Sequence, residues 1–293
     1  MKILILASGG DAPGMNKIIC QLYKKYKNSI YACKEGFKGL IDGQIFPLSE
    51  FQPEKFKNQA GACIKSARCA KFITDEGFKK GLKNAKKFDA LLILGGNGSF
   101  KGAKRLAENG IKVVFVPATI DNDVEISEYS LGFHTAVKAC CDAIYNIMPS
   151  MNTFNRCCIF EVMGRRCDKI ATNVAKITNS DFLIANEKDI DFSKISKVIN
   201  SNFKNNNSSF IIIRENILKL EKLVANLKLL CKNVEIKTFV VGHLQRGTTP
   251  TKVELLKAKT FSNNIIKALK KRNFLNAIVL ENGKCIVKNF YKI

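Results

Sequence analysis

Short apolar runs recur along the chain at residues 3–7, 29–33, 90–94, 113–116, 157–163, 182–185, 210–213 and 239–241. Between most of them lie longer segments whose apolar positions repeat with helical spacing, among them 15–26, 131–147, 217–230 and 253–271. Continuous apolar runs suit strands buried on both faces, and amphipathic stretches suit the helices that cover those faces. The alternation predicts an α/β fold with largely parallel sheets flanked by helices. Residues 276–288 break the pattern, because two short apolar runs flank Glu281-Asn282-Gly283, a hairpin-type turn. Polar residues 204–209 read as a turn between a helix and a strand.

Length and composition narrow the class. A chain of 293 residues can bury one large core or two modest ones, and the glycine loops that follow the early strands suggest a boundary near residue 133. No apolar stretch approaches the ~20 residues of a membrane span. The N-terminal run leads into Ser8-Gly-Gly-Asp-Ala-Pro-Gly14 where a secretory signal would carry a cleavage site, so a cytoplasmic protein is expected. Eleven cysteines include the adjacent pairs Cys140-Cys141 and Cys157-Cys158 but no C-x-x-C spacing, which favours reduced core thiols over zinc ligands or disulfides.

The formal charge of +23 raises the question of a nucleic-acid partner. The lysines are spread along the whole chain, as at Lys24, Lys25 and Lys27 or Lys79, Lys80 and Lys83, and read as solvated helix faces. Such a field would also draw in small anionic substrates.

The candidate chemistry sits at strand ends. Residues 112–123 form an apolar run that stops in Thr119-Ile120-Asp121-Asn122-Asp123. Ligands of open α/β sheets bind beyond the carboxyl ends of the strands, so Thr119, Asp121 and Asp123 belong at a cleft mouth. One carboxylate there can take a proton and the other can help to hold a divalent cation. Two glycine loops, 7–16 and 95–99, each follow a strand; the first also opens a helix. Glycines admit a close ligand, and a helix N-terminus offers free N–H groups to an anion. Neither loop has Walker A or Rossmann spacing.

With these motifs the chain resembles the bacterial-type ATP-dependent 6-phosphofructokinases, from its first strand to about residue 285. The match rests on SGGDAPGMN (8–16), SAR (66–68), GGNGS (95–99), TIDND (119–123), EVMGR (161–165) and GHLQRG (242–247). The resemblance implies a two-domain phosphofructokinase fold, with 1–133 and 245–276 binding nucleotide and 134–244 and 277–293 binding sugar phosphate. It implies a glycolytic kinase that moves the γ-phosphoryl group of ATP to the 1-hydroxyl of fructose 6-phosphate with Mg²⁺. It further implies a homotetramer whose subunits share sites, with no nucleic-acid or membrane partner.

Carried over position by position, the resemblance makes Asp121 the general base, Thr119 a holder of the transferring group and Asp123, with Asn97, the metal partner. Gly10, Arg68, Cys69, Gly96, Asn97, Gly98 and Ser99 match nucleotide-binding positions, with Arg68 also neutralising the transferred group. Ile120, Met163, Gly164, Arg165 and Glu215 match sugar contacts, and His243, Leu244, Gln245 and Arg246 lie around the 6-phosphate; Arg165 is also placed among the catalytic groups. Arg156 and Lys237 match residues that reach a neighbouring subunit's substrate. His134 is expected to be structural.

The chain departs from the family pattern in several places. Asn97 stands where an aspartate helps to bind Mg²⁺, so a catalytically impaired or non-catalytic sugar-phosphate binder is an alternative. Lys237 replaces an arginine, and Cys69 replaces an aromatic residue near adenine. Gly98 and Ala118 are small where pyrophosphate-dependent relatives carry aspartate and lysine, which favours ATP over the pyrophosphate-dependent alternative. The effector positions hold Cys20, Lys24, Glu50 and Ser208, so weak regulation by polyanions is expected.

Overall fold

An unbroken apolar strand is stable only when both faces are covered, and β1 (Ile3–Ser8) is buried at every position. The computed structural model describes residues 1–270 and 275–289. In chain order the first part contains β1, α1 (Met15–Tyr26), β2 (Ile30–Cys33), α2 (Gly36–Asp42), β3 (Ile45–Pro47), β4 (Ser66–Ala67), α3 (Asp75–Ala85), β5 (Ala90–Gly95), α4 (Asn97–Glu108) and β6 (Val113–Pro117). After α5 (Phe133–Thr153) come β7 (Cys157–Val162), α6 (Lys169–Thr178), β8 (Phe182–Ile184), α7 (Phe192–Lys204), β9 (Ser209–Arg214), α8 (Leu220–Leu230) and β10 (Ile236–Val240). The chain ends through α9 (Leu244–Gly247), α10 (Lys252–Lys270), β11 (Leu275–Glu281) and β12 (Lys284–Asn289).

Two units result. The first contains Met1–Thr135 and the described residues from Arg246, and the second is Ala136–Gln245. The first unit's sheet runs β12-β11-β6-β5-β1-β2-β3, with β4 paired to the end of β1. Its interior pairs are parallel, and only the edge strands β3 and β12 run antiparallel to their neighbours. The chain steps from β1 to β2 on one side and then crosses to β5 on the other, which makes the ends of β1 and β5 a topological switch point. Helix α1 buries Met15, Ile18, Ile19 and Leu22, one stripe at helical spacing, and packs beside α10. The second unit is a parallel sheet in the order β10-β7-β9-β8. Its core gathers Ile159, Ile211 and Ile213 from the strands with Ile195, Ile199, Leu223 and Leu227 from the helices.

The terminal hairpin belongs to the first sheet, which corrects the assignment of 277–293 to the second domain. Leu275 and Ala277 pair with Val113 and Phe115, extending the sheet beyond β6. The hairpin turn is tied to the same unit, because the Glu128 carboxylate accepts from Asn282 N (2.8 Å) and Gly283 N (3.3 Å). Residues 271–274 and 290–293 of the expected ranges lie outside the described residues. Strand β10 begins earlier than the apolar run suggests, since Lys237 and Thr238 are exposed on an edge strand where alternation is not required. Helix α4 starts inside GGNGS, because Asn97, Gly98 and Ser99 already form its first turn.

All eleven cysteines are free thiols and seven of them are buried. Burial pushes the Cys33 thiol up to about 12 and raises Cys140 and Cys157 as well, so these groups behave as small apolar fillers.

One buried charge organises the segment after β6. Glu254, on α10, is wholly inaccessible to solvent. Its Oε1 accepts from Tyr129 Oη (2.7 Å) and Gly132 N (2.9 Å), and its Oε2 accepts from Thr135 N (3.1 Å) and Thr135 Oγ1 (3.0 Å). Burial raises its carboxyl above the ordinary glutamate range, although the four donors oppose the shift. The Lys257 ammonium sits 3.9 Å from the centre of the Tyr129 ring. Glu254→Ala strands four buried donors and is expected to lower the unfolding free energy by about 3 kcal/mol. Urea titration of variant and wild type measures this, and a loss below about 1 kcal/mol would remove Glu254 from the organising role.

Candidate active site

Strands β6, β5 and β1 are parallel neighbours, so their carboxyl ends deliver three loops side by side on the first unit. Past β1, Gly9 N donates to Ala67 O (3.1 Å) and Ser66 Oγ donates to Gly9 O (2.9 Å), which holds the segment leading into Arg68 against the first loop. Asn16 braces the approach from below: its Nδ2 donates to Gln59 O and Ala60 O, and its Oδ1 accepts from Cys63 N. The resulting open cleft of about 720 Å³ is lined by Gly9, Gly10, Asp11, Asn16, Lys34, Glu35, Phe56, residues 59–63, Lys65 and Ser66. Arg68 is exposed, and Cys69 is half-buried against the unit's core.

Past β5 the backbone turns into α4 under tight constraint. A Cβ on Gly95 would lie 2.5 Å from Ser99 Oγ and 2.6 Å from Ser8 O, so only glycine fits where Ser99 Oγ donates to the Ser8 carbonyl (2.9 Å). Gly96 packs on Thr119, and a Cβ on Gly98 would meet nothing within 4 Å, leaving open space at the helix N-terminus. Asn97 is half-buried in that first turn.

Past β6, Thr119, Asp121 and Asn122 are all buried, Ile120 completely so. Thr119 Oγ1 accepts from Asp121 N (3.3 Å). Asp123 Oδ1 is buried and makes no hydrogen bond with any described residue, which is the state a hard cation or its bound water would relieve. Among the described residues no three His, Cys, Asp or Glu side chains come together as a metal cage. Arg246 falls in this unit: its Nη1 donates to Asp11 O (2.8 Å) and lies 2.5 Å from where a Gly10 Cβ would be. His134 is structural, with Nδ1 3.0 Å from Thr251 Oγ1.

The second unit assembles the other candidates around the ends of β7 and β9. Glu215 Oε1 accepts from Gly164 N (3.1 Å) and Arg165 N (2.8 Å), and Met163 N donates to Gln245 Oε1 (3.2 Å). Gln245 is fully buried and in turn donates from Nε2 to Gly242 O (3.0 Å). Arg165 takes a left-handed backbone (φ 54°), and Arg214 holds that turn by donating to Arg165 O and, from Nε, to Ala185 O (2.8 Å). His243 and Leu244 are exposed. On the β10 edge, Glu235 binds both Arg156 and Lys237, the latter at 2.5 Å, and these cations hold its carboxyl below the ordinary range, Lys237 foremost.

At the expected effector positions Cys20 is buried, and Lys24 already pairs with Glu54 (3.6 Å). Ser208 lies in a cavity of about 430 Å³ lined by Asp181 and five asparagines.

Sequence reasoning passed over Arg214, Glu128 and Glu254. Arg214 reads as the polar end of an apolar strand. Glu254 did carry a local signal, Thr251-x-x-Glu254, and Thr251 Oγ1 does accept from Glu254 N (3.1 Å), but the carboxylate serves a distant helix end.

A phosphofructokinase family model matches residues 2–269. The ATP-dependent 6-phosphofructokinase of Finegoldia magna is 33% identical over 289 residues, covering 97% of this chain and 91% of its own length. That of Lactococcus lactis subsp. lactis is 33% identical over 275 residues, covering 92% of this chain and 81% of its own. Among solved structures, phosphofructokinase from Saccharomyces cerevisiae superposes with a TM-score of 0.85 at 22% identity over 99% of this chain, which spans 45% of the yeast chain. A pyrophosphate-dependent phosphofructokinase from Marinobacter aquaeolei gives 0.81 at 15% identity, covering 98% of this chain and 81% of its own. At those identities the structural likeness establishes the fold alone. No helix among the described residues is long and apolar enough to cross a membrane.

Burial, then the charges of Glu215 and Glu221, pushes the Glu161 carboxyl on β7 above its ordinary value of 4.5. The folded state therefore holds this proton more tightly, so the group's contribution is full below the ordinary value and is lost as pH rises through the raised one. The urea midpoint of Glu161→Gln is expected to gain on wild type as pH rises above 4.5. A difference that does not change with pH would show that the raised carboxyl has no bearing on stability.

Proposed function

The chain belongs to the phosphofructokinase family, and on that premise we propose that it is a glycolytic ATP-dependent 6-phosphofructokinase, converting fructose 6-phosphate to fructose 1,6-bisphosphate. The observation that carries this reading is the parallel register of β1, β5 and β6, which sets two glycine loops beside Thr119–Asp123.

Phosphoryl transfer asks the protein for positioning and charge neutralisation. In this reading Asp121 takes the proton of the sugar's 1-hydroxyl as its oxygen bonds to the γ-phosphorus and the bond to the bridging oxygen of ADP breaks. Thr119, packed on Gly96, holds the transferring group, and Arg68 offsets its charge. Gly10, Gly96, Gly98 and Ser99 let the backbone approach the nucleotide, with Cys69 beside its base. Asp123 and Asn97 are the residues that would hold Mg²⁺, and the buried, unbonded Asp123 Oδ1 fits that task. When bound, Mg²⁺ would neutralise charge on the phosphate oxygens.

For the acceptor, Met163, Gly164, Arg165 and Glu215 would contact the sugar with Ile120, and His243, Leu244, Gln245 and Arg246 would surround its 6-phosphate. Arg246 would exchange the Asp11 carbonyl for phosphate oxygens. Arg156 and Lys237 would serve a neighbouring subunit in a homotetramer, giving up Glu235 to do so. The open space at Gly98 and the full burial of Ala118 favour ATP over pyrophosphate as donor. Weak effector control follows from buried Cys20, paired Lys24, anionic Glu50 and uncharged Ser208. A cytoplasmic location, where both substrates occur, completes the reading, with neither nucleic acid nor membrane as partner.

A coupled assay of the purified protein with fructose 6-phosphate and MgATP tests the proposal, and turnover with pyrophosphate alone would overturn the donor choice. Asp121→Ala is expected to lower kcat by about 10²–10⁴ while the KM for ATP stays within about threefold. Asn97→Asp restores a second carboxylate and is expected to lower the Mg²⁺ concentration giving half-maximal rate; an unchanged Mg²⁺ curve would exclude position 97 from metal binding.

A further inference from the structure

The two carboxylates that the proposed reaction uses flank Asn122, a residue with only 4% of its surface exposed. Its backbone lies in the left-handed region (φ 52°), which asparagine tolerates better than most residues. Its side chain reaches across the loop in two directions. Oδ1 accepts from Ser130 N at 2.6 Å, and Nδ2 donates to Glu128 O at 3.1 Å. Both partners lie in the stretch that Glu254 holds through Tyr129 Oη and Gly132 N. Leu131 N donates to Pro117 O (2.9 Å), closing the stretch back onto the end of β6. A continuous set of bonds thus runs from the buried Glu254 carboxylate through residues 128–132 to Asn122, and from Asn122 along the backbone to Asp121 and Asp123.

We propose that Asn122 is a positioning residue for phosphoryl transfer: by bracing the turn between Asp121 and Asp123 it sets where the base and the metal-side carboxylate stand. The inference rests on the functional reading above. Its physical content is that Asp121 acts only at hydrogen-bond distance from the acceptor hydroxyl, and that a displacement near 1 Å costs about one hundredfold in rate. The side chain contributes the bracing, while the left-handed backbone requires only asparagine or glycine. Asn122→Gly therefore removes the braces without straining the backbone, whereas Asn122→Ala removes them and adds strain.

Steady-state kinetics with fructose 6-phosphate and MgATP, corrected for the folded fraction from urea titration, test this on wild type, Asn122→Gly and Asn122→Ala. The expected result is a kcat about one hundredfold lower in both variants, with both KM values within about threefold of wild type. Amide hydrogen exchange supplies a readout independent of turnover: the Ser130 N–H is expected to exchange at least about tenfold faster in Asn122→Gly, since its acceptor is gone. A kcat for Asn122→Gly within about threefold of wild type would overturn the proposal. So would unchanged Ser130 exchange, or a rate loss accounted for by the unfolded fraction. If wild type itself fails to turn over, the functional reading falls and the positioning role with it, an outcome distinct from an active wild type with active variants.

Discussion

The burial of the Glu254 carboxylate is the constraint from which the arrangement of the first unit's site follows. A charge removed from water is tolerated only when donors replace its hydration, and here four of them do so from Tyr129, Gly132 and Thr135. Those donors span the start of α5 and the loop leading to it, so that loop cannot drift without leaving the charge uncompensated. Glu254 itself is held in place, because α10 packs beside α1, the helix that follows the first glycine loop. The acidic turn after β6 and the glycine loop after β1 are therefore referred to one rigid pair of helices.

Close approach imposes the second constraint. At Gly95 a Cβ would collide with the Ser8 carbonyl and with Ser99, and at Gly10 it would collide with Arg246. Gly95 is thus required by the protein's own packing, because the Ser8 carbonyl it meets is backbone, whereas at Gly10 the neighbour is the movable end of an arginine side chain. At Gly98, by contrast, a Cβ would meet nothing within 4 Å, so the first turn of α4 is open on that side.

Much of this was legible along the chain because the strands of the central sheet are buried on both faces. β1, β5 and β6 appear as unbroken apolar runs, and the chemistry stands where those runs stop. What escaped was structure whose determinants are distant in sequence. The terminal hairpin is expected with the second domain, yet Glu128 and Ser127, some 150 positions earlier, secure it to the first through Asn282, Gly283 and Leu280. β10 extends beyond its apolar run because an edge strand tolerates Lys237 and Thr238 on its exposed positions. The GGNGS motif was read as a loop because glycine is a poor helix former, although a first helical turn needs little propensity when its N–H groups are meant to stay free. Arg214 was invisible for a further reason: an arginine closing an apolar strand looks solvent-bound until the carbonyls of Ala185 and Arg165 are found around it.

The way the basic side chains are held bears on how either unit would receive an anion. Arg246 is held by the Asp11 carbonyl and Arg214 by two carbonyls, and these partners orient a guanidinium without cancelling its charge. Arg156 and Lys237 share one exposed carboxylate, so two positive charges face a single negative one on that edge. A net charge of +23 spread over the chain would mainly favour encounter with anions and would not orient them. A guanidinium held by a neutral carbonyl keeps its full charge, so an arriving anion displaces a neutral partner and not a competing carboxylate. At position 97 an amide stands in place of a carboxylate, which leaves Asp121 and Asp123 as the acidic side chains of the turn after β6.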